Sequence, residues 1–170
     1  VSIVLLCGRS FSGKSTMAGI LADFLPAVVV SLDAINSERN LQGGQGIPLD
    51  EWIRTAAIAR DRTRDLVAEG STVLVDDTSA PRVLRDLWRD LADRERVPLT
   101  LVYVDTPVDV ILARHRANRT DPIRHDVTDE VFAAHLQDFE VPTDDENPLR
   151  FVPGESTLSE LLEALGAPTG

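Results

Sequence analysis

Short runs of consecutive apolar residues alternate along this chain with longer stretches in which apolar positions recur every three or four residues. The first run, Ile3-Val4-Leu5-Leu6-Cys7, predicts a strand over about 2–7. Met17, Ile20, Leu21 and Phe24 then predict a helix over about 14–24, stopped by Pro26. A second apolar run, Ala27–Leu32, predicts a strand that ends at Asp33, with a short helix over Ala34–Asn40. Leu41–Pro48 holds three glycines and a proline in eight residues and marks a loop expected to be mobile. Asp50 is the expected N-cap of a long helix over about 51–69, closed by Gly70. Thr72–Val75 predicts a third strand, and a helix from Pro81 to about Arg96 has proline at a favoured first position. Leu99–Val104 is the fourth strand, and a helix from Pro107 continues into an arginine-rich stretch, Arg114 to Arg124. Thr128 caps a helix over about 129–139, and an acidic segment follows, Val141–Pro148. Arg150–Val152 and Leu158–Leu165 complete the pattern as a fifth strand and a last helix.

Strands that alternate with helices predict an α/β fold, a three-layer αβα arrangement with a five-stranded, mostly parallel sheet covered on both faces. With no repeat and no linker in 170 residues, the expectation is a single domain spanning 1–170. No apolar run reaches the 18 or so residues of a membrane span, and the first strand lacks the basic flank and cleavage site of a signal peptide. The single cysteine, Cys7, falls within the first strand, so it reads as core and fits a reducing, cytoplasmic setting. A net charge of −11 argues against gripping nucleic acid by its phosphates and favours a small neutral or cationic substrate.

One segment gives this scaffold a chemistry. Gly8-Arg9-Ser10-Phe11-Ser12-Gly13-Lys14-Ser15-Thr16 matches G-x-x-x-x-G-K-[ST], the phosphate-cradling P-loop, or Walker A motif. It stands between a predicted strand and a predicted helix, the context that the motif needs. Its glycines let backbone N–H groups wrap a polyphosphate, and the following helix aims its positive end at the same place. Lys14 is expected on the β- and γ-phosphates and Ser15 on Mg²⁺. Of the 17 basic residues sixteen are arginines, and Lys14 is the only lysine, a compact point charge suited to phosphate.

In an open parallel sheet, ligands bind beyond the carboxyl ends of the strands. Asp33, Asp76, Asp77 and Asp105 all stand at predicted strand ends. Asp76, after Val73-Leu74-Val75, is the Walker-B-like acid expected to hold Mg²⁺. Asp33 is the expected base for an acceptor hydroxyl, and Asp105-Thr106-Pro107 reads as the opening of a helix. Arg114, Arg116, Arg119 and Arg124 suggest a lid over about 114–127 whose cations meet the charge of a transferring phosphoryl group, with Arg116 and Arg119 favoured. His115, His125 and His135 are too widely spaced for a metal site and are read as ordinary polar residues. Asn118-Arg119-Thr120-Asp121 resembles the guanine-reading N-K-x-D but follows a helix and carries arginine for lysine, so it is set aside.

The series LLCGRSFSGKST, VVVSLDAI, VLVDDTS, the arginine stretch and FEVPTDDE resembles the P-loop kinases grouped with the bacteriophage polynucleotide kinase domain, over about residues 2–146. The resemblance implies an adenylate-kinase-like sheet with a mobile lid, ATP as phosphoryl donor and Asp33 as catalytic base. An arginine often follows that base three residues later, where this chain has Asn36, and Arg39 lies one helical turn further on. Asp77 stands where relatives often carry a small or amide residue.

These readings converge on an ATP- and Mg²⁺-dependent kinase acting on a hydroxyl of a small molecule. Its acceptor side is expected around Asp33, Asn36, Asp77 and Thr78, with the loop at 41–49 and the helix after it. The rivals are a polynucleotide or RNA 5′-hydroxyl kinase and a non-catalytic nucleotide-binding module.

Overall fold

The computed structural model describes residues 1–41, 47–122 and 128–167. The glycine-rich part of the predicted loop at 41–48, the lid residues from 123 to 127 with Arg124, and His125 lie outside these described residues. Five strands form one all-parallel sheet: β1 (Ile3–Cys7), β2 (Ala27–Ser31), β3 (Thr72–Asp76), β4 (Leu99–Val104) and β5 (Leu149–Phe151), in the spatial order β2-β3-β1-β4-β5. Among the described residues seven α-helices connect and cover it: α1 (Lys14–Phe24), α2 (Leu32–Glu38), α3 (Leu49–Ala68), α4 (Arg82–Glu95), α5 (Val108–Thr120), α6 (Asp129–Gln137) and α7 (Leu158–Ala164).

β1 is central, and Leu5 lies beside Val75 of β3 and Leu101 of β4. All five of its residues are buried, because side chains alternate between two faces and both faces are covered. Ile3, Leu5 and Cys7 point into a core with Ala59 of α3 and Trp88 and Ala92 of α4. Val4 and Leu6 point the other way, onto Met17, Ala18 and Leu21 of α1 and Leu161 of α7. A third, smaller cluster of Phe11, Ile111 and Phe132 lies under α5 and α6 and joins them to the loop after β1. β2 is an edge strand, and its Val28 and Val29 are exposed.

The predicted elements are all present, and the differences are local. β2 ends at Ser31, whose hydroxyl accepts from the Ala34 backbone N–H and starts α2 at once. Asp33 therefore lies in the first turn of α2 and not at a strand end. Pro48, not Asp50, is the N-cap of α3; Asp50 and Glu51 sit in its first turn, where negative charge meets the positive helix end. Pro81 and Pro107 are likewise caps, each with extended ψ, and not first helical residues.

Behind β3 lies a buried ion pair that no apolar pattern announces. The Arg85 side chain on α4 donates Nε and Nη2 to the two carboxylate oxygens of Glu146, both at 2.7 Å. Its Nη1 donates to the carbonyl oxygens of Ser79, Ala80 and Glu140 at 2.9, 3.1 and 3.0 Å. Both side chains are at most 1% exposed. The segment at 139–146 is thus pinned against the loop that follows β3.

Candidate active site

Because all strands are parallel, their carboxyl ends share one rim, and the loop after β1 occupies its centre. Gly8 admits close backbone approach: a Cβ there would stand 2.7 Å from the Val104 carbonyl oxygen. Gly13 is the N-cap of α1 in the left-handed region, at φ 98°, where a side chain is strained. Phe11 is left-handed too, at φ 64°, and its ring is set edge-on against His115 and Phe132 at centroid distances of 5.2 and 5.6 Å. His115, expected as an ordinary polar residue, is buried and stacked on Phe132 at 4.0 Å.

The loop's outward carbonyls are held from behind. Thr106 Oγ1 donates to the Ser12 carbonyl at 2.6 Å, and Arg114 Nη1 donates to the Phe11 and Ser12 carbonyls at 3.0 and 2.9 Å. The Ser12 N–H donates to the Arg9 carbonyl at 3.1 Å, which closes the loop on itself. Lys14 Nζ folds over the loop and donates to the Arg9 carbonyl at 3.2 Å. The Arg9 guanidinium points elsewhere, 4.8 Å over the Phe139 ring and 3.3 Å from the Tyr103 hydroxyl. Ser10 Oγ lies 3.5 Å from Nδ1 of His135. Ser12 Oγ is buried without a hydrogen-bond partner among the described residues, an orphaned polar atom inside the cradle.

Two cavities flank the loop. The larger, about 880 Å³, runs along Phe11–Thr16 to Arg114, Asn118 and Asp121 on α5, with Phe151 and Pro153 opposite. The smaller, about 50 Å³, is walled by Asp33 of α2, Trp52 of α3, Asp76 at the end of β3 and Asp77 and Thr78 just after it, with Ser10 at the loop. Lys14, Ser15 and Asp33 line both.

Asp76 and Ser15 line the smaller cavity together. Burial raises the Asp76 carboxyl above its ordinary range; Lys14 and the Ser15 hydroxyl draw it down, and the nearby Asp33 and Asp77 carboxylates push it up. Such oxygen ligands suit a hard cation shared with phosphate oxygens. Among the described residues, no group of three or more His, Cys, Asp or Glu side chains could hold a metal alone. Asp77 Oδ2 accepts from Ser79 Oγ at 2.8 Å.

The remaining expected residues are placed differently. Asn36 is buried at 3% exposure, and its Oδ1 accepts from Thr55 Oγ1 of α3 at 2.5 Å; it lines neither cavity. Arg39 is fastened to the same helix, donating to Thr55 Oγ1 at 2.6 Å, to the Glu51 carbonyl at 2.8 Å and to the Glu51 carboxylate. Arg116 is exposed and lines neither cavity, while Arg119 donates to Asp129 Oδ2 at 3.0 Å. Arg114 is the arginine of α5 that reaches the loop among the described residues. Asp105 holds Arg150 and the Tyr103 hydroxyl away from both cavities. Sequence reasoning passed over Trp52, and it weighed Asn118 and Asp121 only as a guanine-reading motif and set them aside. The spacing of Arg114, Asn118 and Asp121 by four and three was the available signal that they share one helix face.

Among the described residues no helix is long and apolar enough to cross a membrane. The AAA domain family matches residues 3–142. No curated protein sequence matches the chain. Solved structures do: a sugar kinase from a Janibacter species is 23% identical over 99% of this chain and 96% of that one, with a TM-score of 0.73. The Mycobacterium tuberculosis APS kinase CysC, in complex with AMPPNP and APS, is 22% identical over 97% and 95%, with a TM-score of 0.67. Chaetomium thermophilum Kti12, in complex with ADP-AlF3, is 11% identical over 99% and 100%, with a TM-score of 0.76. With the P-loop at its centre and this sheet around it, the chain belongs to the AAA domain family and has the P-loop kinase fold.

Proposed function

We propose that this protein is an ATP-dependent kinase that transfers the γ-phosphoryl group to a hydroxyl of a small molecule. The observation that carries the reading is that two cavities of different character meet at Lys14, Ser15 and Asp33. The larger, running along the loop to α5, takes the nucleotide; the smaller, acidic one takes the acceptor. Backbone N–H groups of residues 8–16 and the Lys14 ammonium bind the phosphates, and Arg114 keeps the loop in the shape that they need.

Mg²⁺ would be held by the Ser15 hydroxyl and the Asp76 carboxylate, and there it would neutralise negative charge on the phosphates. Asp33 orients the acceptor hydroxyl and takes its proton. A bond forms from that oxygen to the γ-phosphorus as the bond to the ADP oxygen breaks. Arg116 and Arg119, on the solvent side of α5, are the lid cations for the transferring group, and Arg119 must leave Asp129 to serve there. The neighbouring kinases' names and the nucleotides in the APS kinase and Kti12 structures support the donor half of this reading. The charge of −11 argues against a polynucleotide acceptor.

The test is [γ-³²P]ATP transfer to a panel of hydroxylated metabolites, antibiotics and 5′-hydroxyl oligonucleotides. Asp33→Asn should slow transfer by about 10²–10⁴-fold with ATP affinity retained. Lys14→Ala should lose both. A protein that binds ATP but phosphorylates nothing, with Asp33→Asn indistinguishable from the parent, is a nucleotide-binding module and not a kinase.

A further inference from the structure

The smaller cavity is short of cations. Among the described residues that line it, Asp33, Asp76 and Asp77 contribute three carboxylates, and Lys14 is the only cation. Lys14 belongs to the phosphate loop, and a Mg²⁺–ATP pair is itself an anion, so nucleotide binding adds no positive charge for the acceptor. The positions on α2 and α3 nearest to it are committed elsewhere. Asn36 is neutral, buried and bonded to Thr55, and Arg39 is turned onto α3, where Glu51 pairs its charge. Arg54 is held by the same Glu51. A carboxylate, sulfate or phosphate on the acceptor would enter this cavity opposite like charge, with no guanidinium among the described lining residues to receive it.

Two features of the wall favour the opposite sign. Asp77 has Oδ2 fixed by the Ser79 hydroxyl at 2.8 Å, which sets the direction in which Oδ1 is presented. Ser79 is held in turn by Arg85 through its carbonyl, so the carboxylate stands on a rigid loop. The half-buried Trp52 of α3 lines the same small cavity. An indole face attracts cations, by about 0.5–2 kcal/mol, and a preoriented carboxylate forms a charge-assisted bond with an ammonium. Asp33 and Asp76 already have tasks in phosphoryl transfer. Asp77 and Trp52 have none, and both line this cavity.

We propose that the acceptor is a cationic alcohol, an amino sugar or amino alcohol, whose ammonium is recognised by Asp77 and Trp52 while its hydroxyl is presented to Asp33. This rests on the kinase reading above and specifies the substrate class for the same site. The ammonium takes no part in the chemistry, so its loss from the acceptor weakens binding more than turnover.

The experiment measures [γ-³²P]ATP transfer to a library of hydroxylated compounds sorted at pH 7 into cationic, neutral and anionic sets, with glucosamine, glucose and gluconate as one matched trio. The expected result is that the phosphorylated compounds fall in the cationic set. Asp77→Asn should then raise KM for the best of them at least tenfold, with kcat changed less than threefold. Trp52→Leu should raise KM as well, and Trp52→Phe, which keeps an aromatic face, should largely restore it. Best substrates that are neutral or anionic would overturn the inference and leave the kinase reading standing. So would an Asp77→Asn variant with unchanged KM for a cationic substrate. Transfer to no set by a protein that binds ATP removes the kinase reading, and this inference with it.

Discussion

Arg114 reaches from α5 to hold Ser12 by its carbonyl oxygen, at 2.9 Å, at the edge of the cavity that runs along the loop. The same nitrogen is 3.0 Å from the Phe11 carbonyl, so one guanidinium sets the orientation of two successive peptides. Hydrogen bonds from a charged donor contribute about 1.5–3 kcal/mol. Arg114→Ala should therefore weaken ATP binding by about tenfold or more, and Arg114→Lys should recover only part of it. Titration with a fluorescent ATP analogue reads this, and unchanged affinity would show that the loop holds its shape unaided.

Substitutions of the two loop glycines should fail for different reasons. Gly8→Ala places a Cβ 2.7 Å from the Val104 backbone oxygen and 2.9 Å from Ser12 Oγ, so the strand or the loop must move. Overpacking of this kind costs about 1–3 kcal/mol, and a lower urea midpoint should accompany lost ATP binding. Gly13→Ala meets nothing nearer than 3.3 Å but must adopt φ 98°. Its stability loss should be about 1–3 kcal/mol, with ATP affinity falling as α1 shifts at its first turn. Wild-type urea midpoints for both variants would contradict the backbone argument.

The Arg85–Glu146 pair should give the protein a late acid transition. Burial opposes the Glu146 charge, but bonds from Arg85, Arg89 and the Thr143 N–H outweigh it and hold the carboxyl down to about 2 from 4.5. A carboxyl depressed on folding stabilises above its unfolded value and loses that contribution as pH falls through the folded one. From 4.5 to about 2, the contribution of roughly 3 kcal/mol should fade. Glu146→Gln removes this pH dependence and leaves Arg85 buried without its charge partner, which should cost about 3–5 kcal/mol at neutral pH. Urea denaturation from pH 2 to 7 checks both, and parallel curves for the two proteins would count against the pair's role.

Cys7 should be inert while the chain is folded. It is fully buried in β1, its Sγ lies 3.7 Å from the Ser79 carbonyl, and burial pushes the thiol up to about 12. A thiol-reactive disulfide reagent at pH 8 should label it only on unfolding, at a rate that falls as urea is withdrawn. Fast labelling in buffer alone would mean that the central strand opens.

What the sequence makes legible is whatever repeats locally. The alternation of apolar runs and helical spacing is enough for the five strands and seven helices, because the central runs β1 and β3 are buried on both faces and the helices each bury one. Gly8–Thr16 is legible because its geometry depends on glycines at fixed spacing. Asp33 was read as a strand end because a side-chain cap, Ser31, shortens β2, and Ser was not weighed there as a stop signal. Asn36 was expected at the acceptor by its distance from Asp33, yet it faces α3, a relation set by helix packing across nineteen residues of chain. Trp52 and Glu146 escaped for the same reason, since their partners lie far away in sequence. The choice among Arg114, Arg116 and Arg119 depends on the rotation of α5 about its axis, which charge spacing alone does not set.

The clamp that Arg85 closes also dates the site within the life of the chain. A ribosome that has made residues 1–138 has already supplied the phosphate loop, Asp33, Asp76 and Asp77, but neither Glu140 nor Glu146. Until those two emerge, Arg85 is a cation with no carboxylate to justify its burial, and the wall that carries Asp77 lacks its brace. The unfinished chain thus has the P-loop and the aspartates before it has the brace behind them, and Arg85 gains its carboxylate partner only once Glu146 has been made.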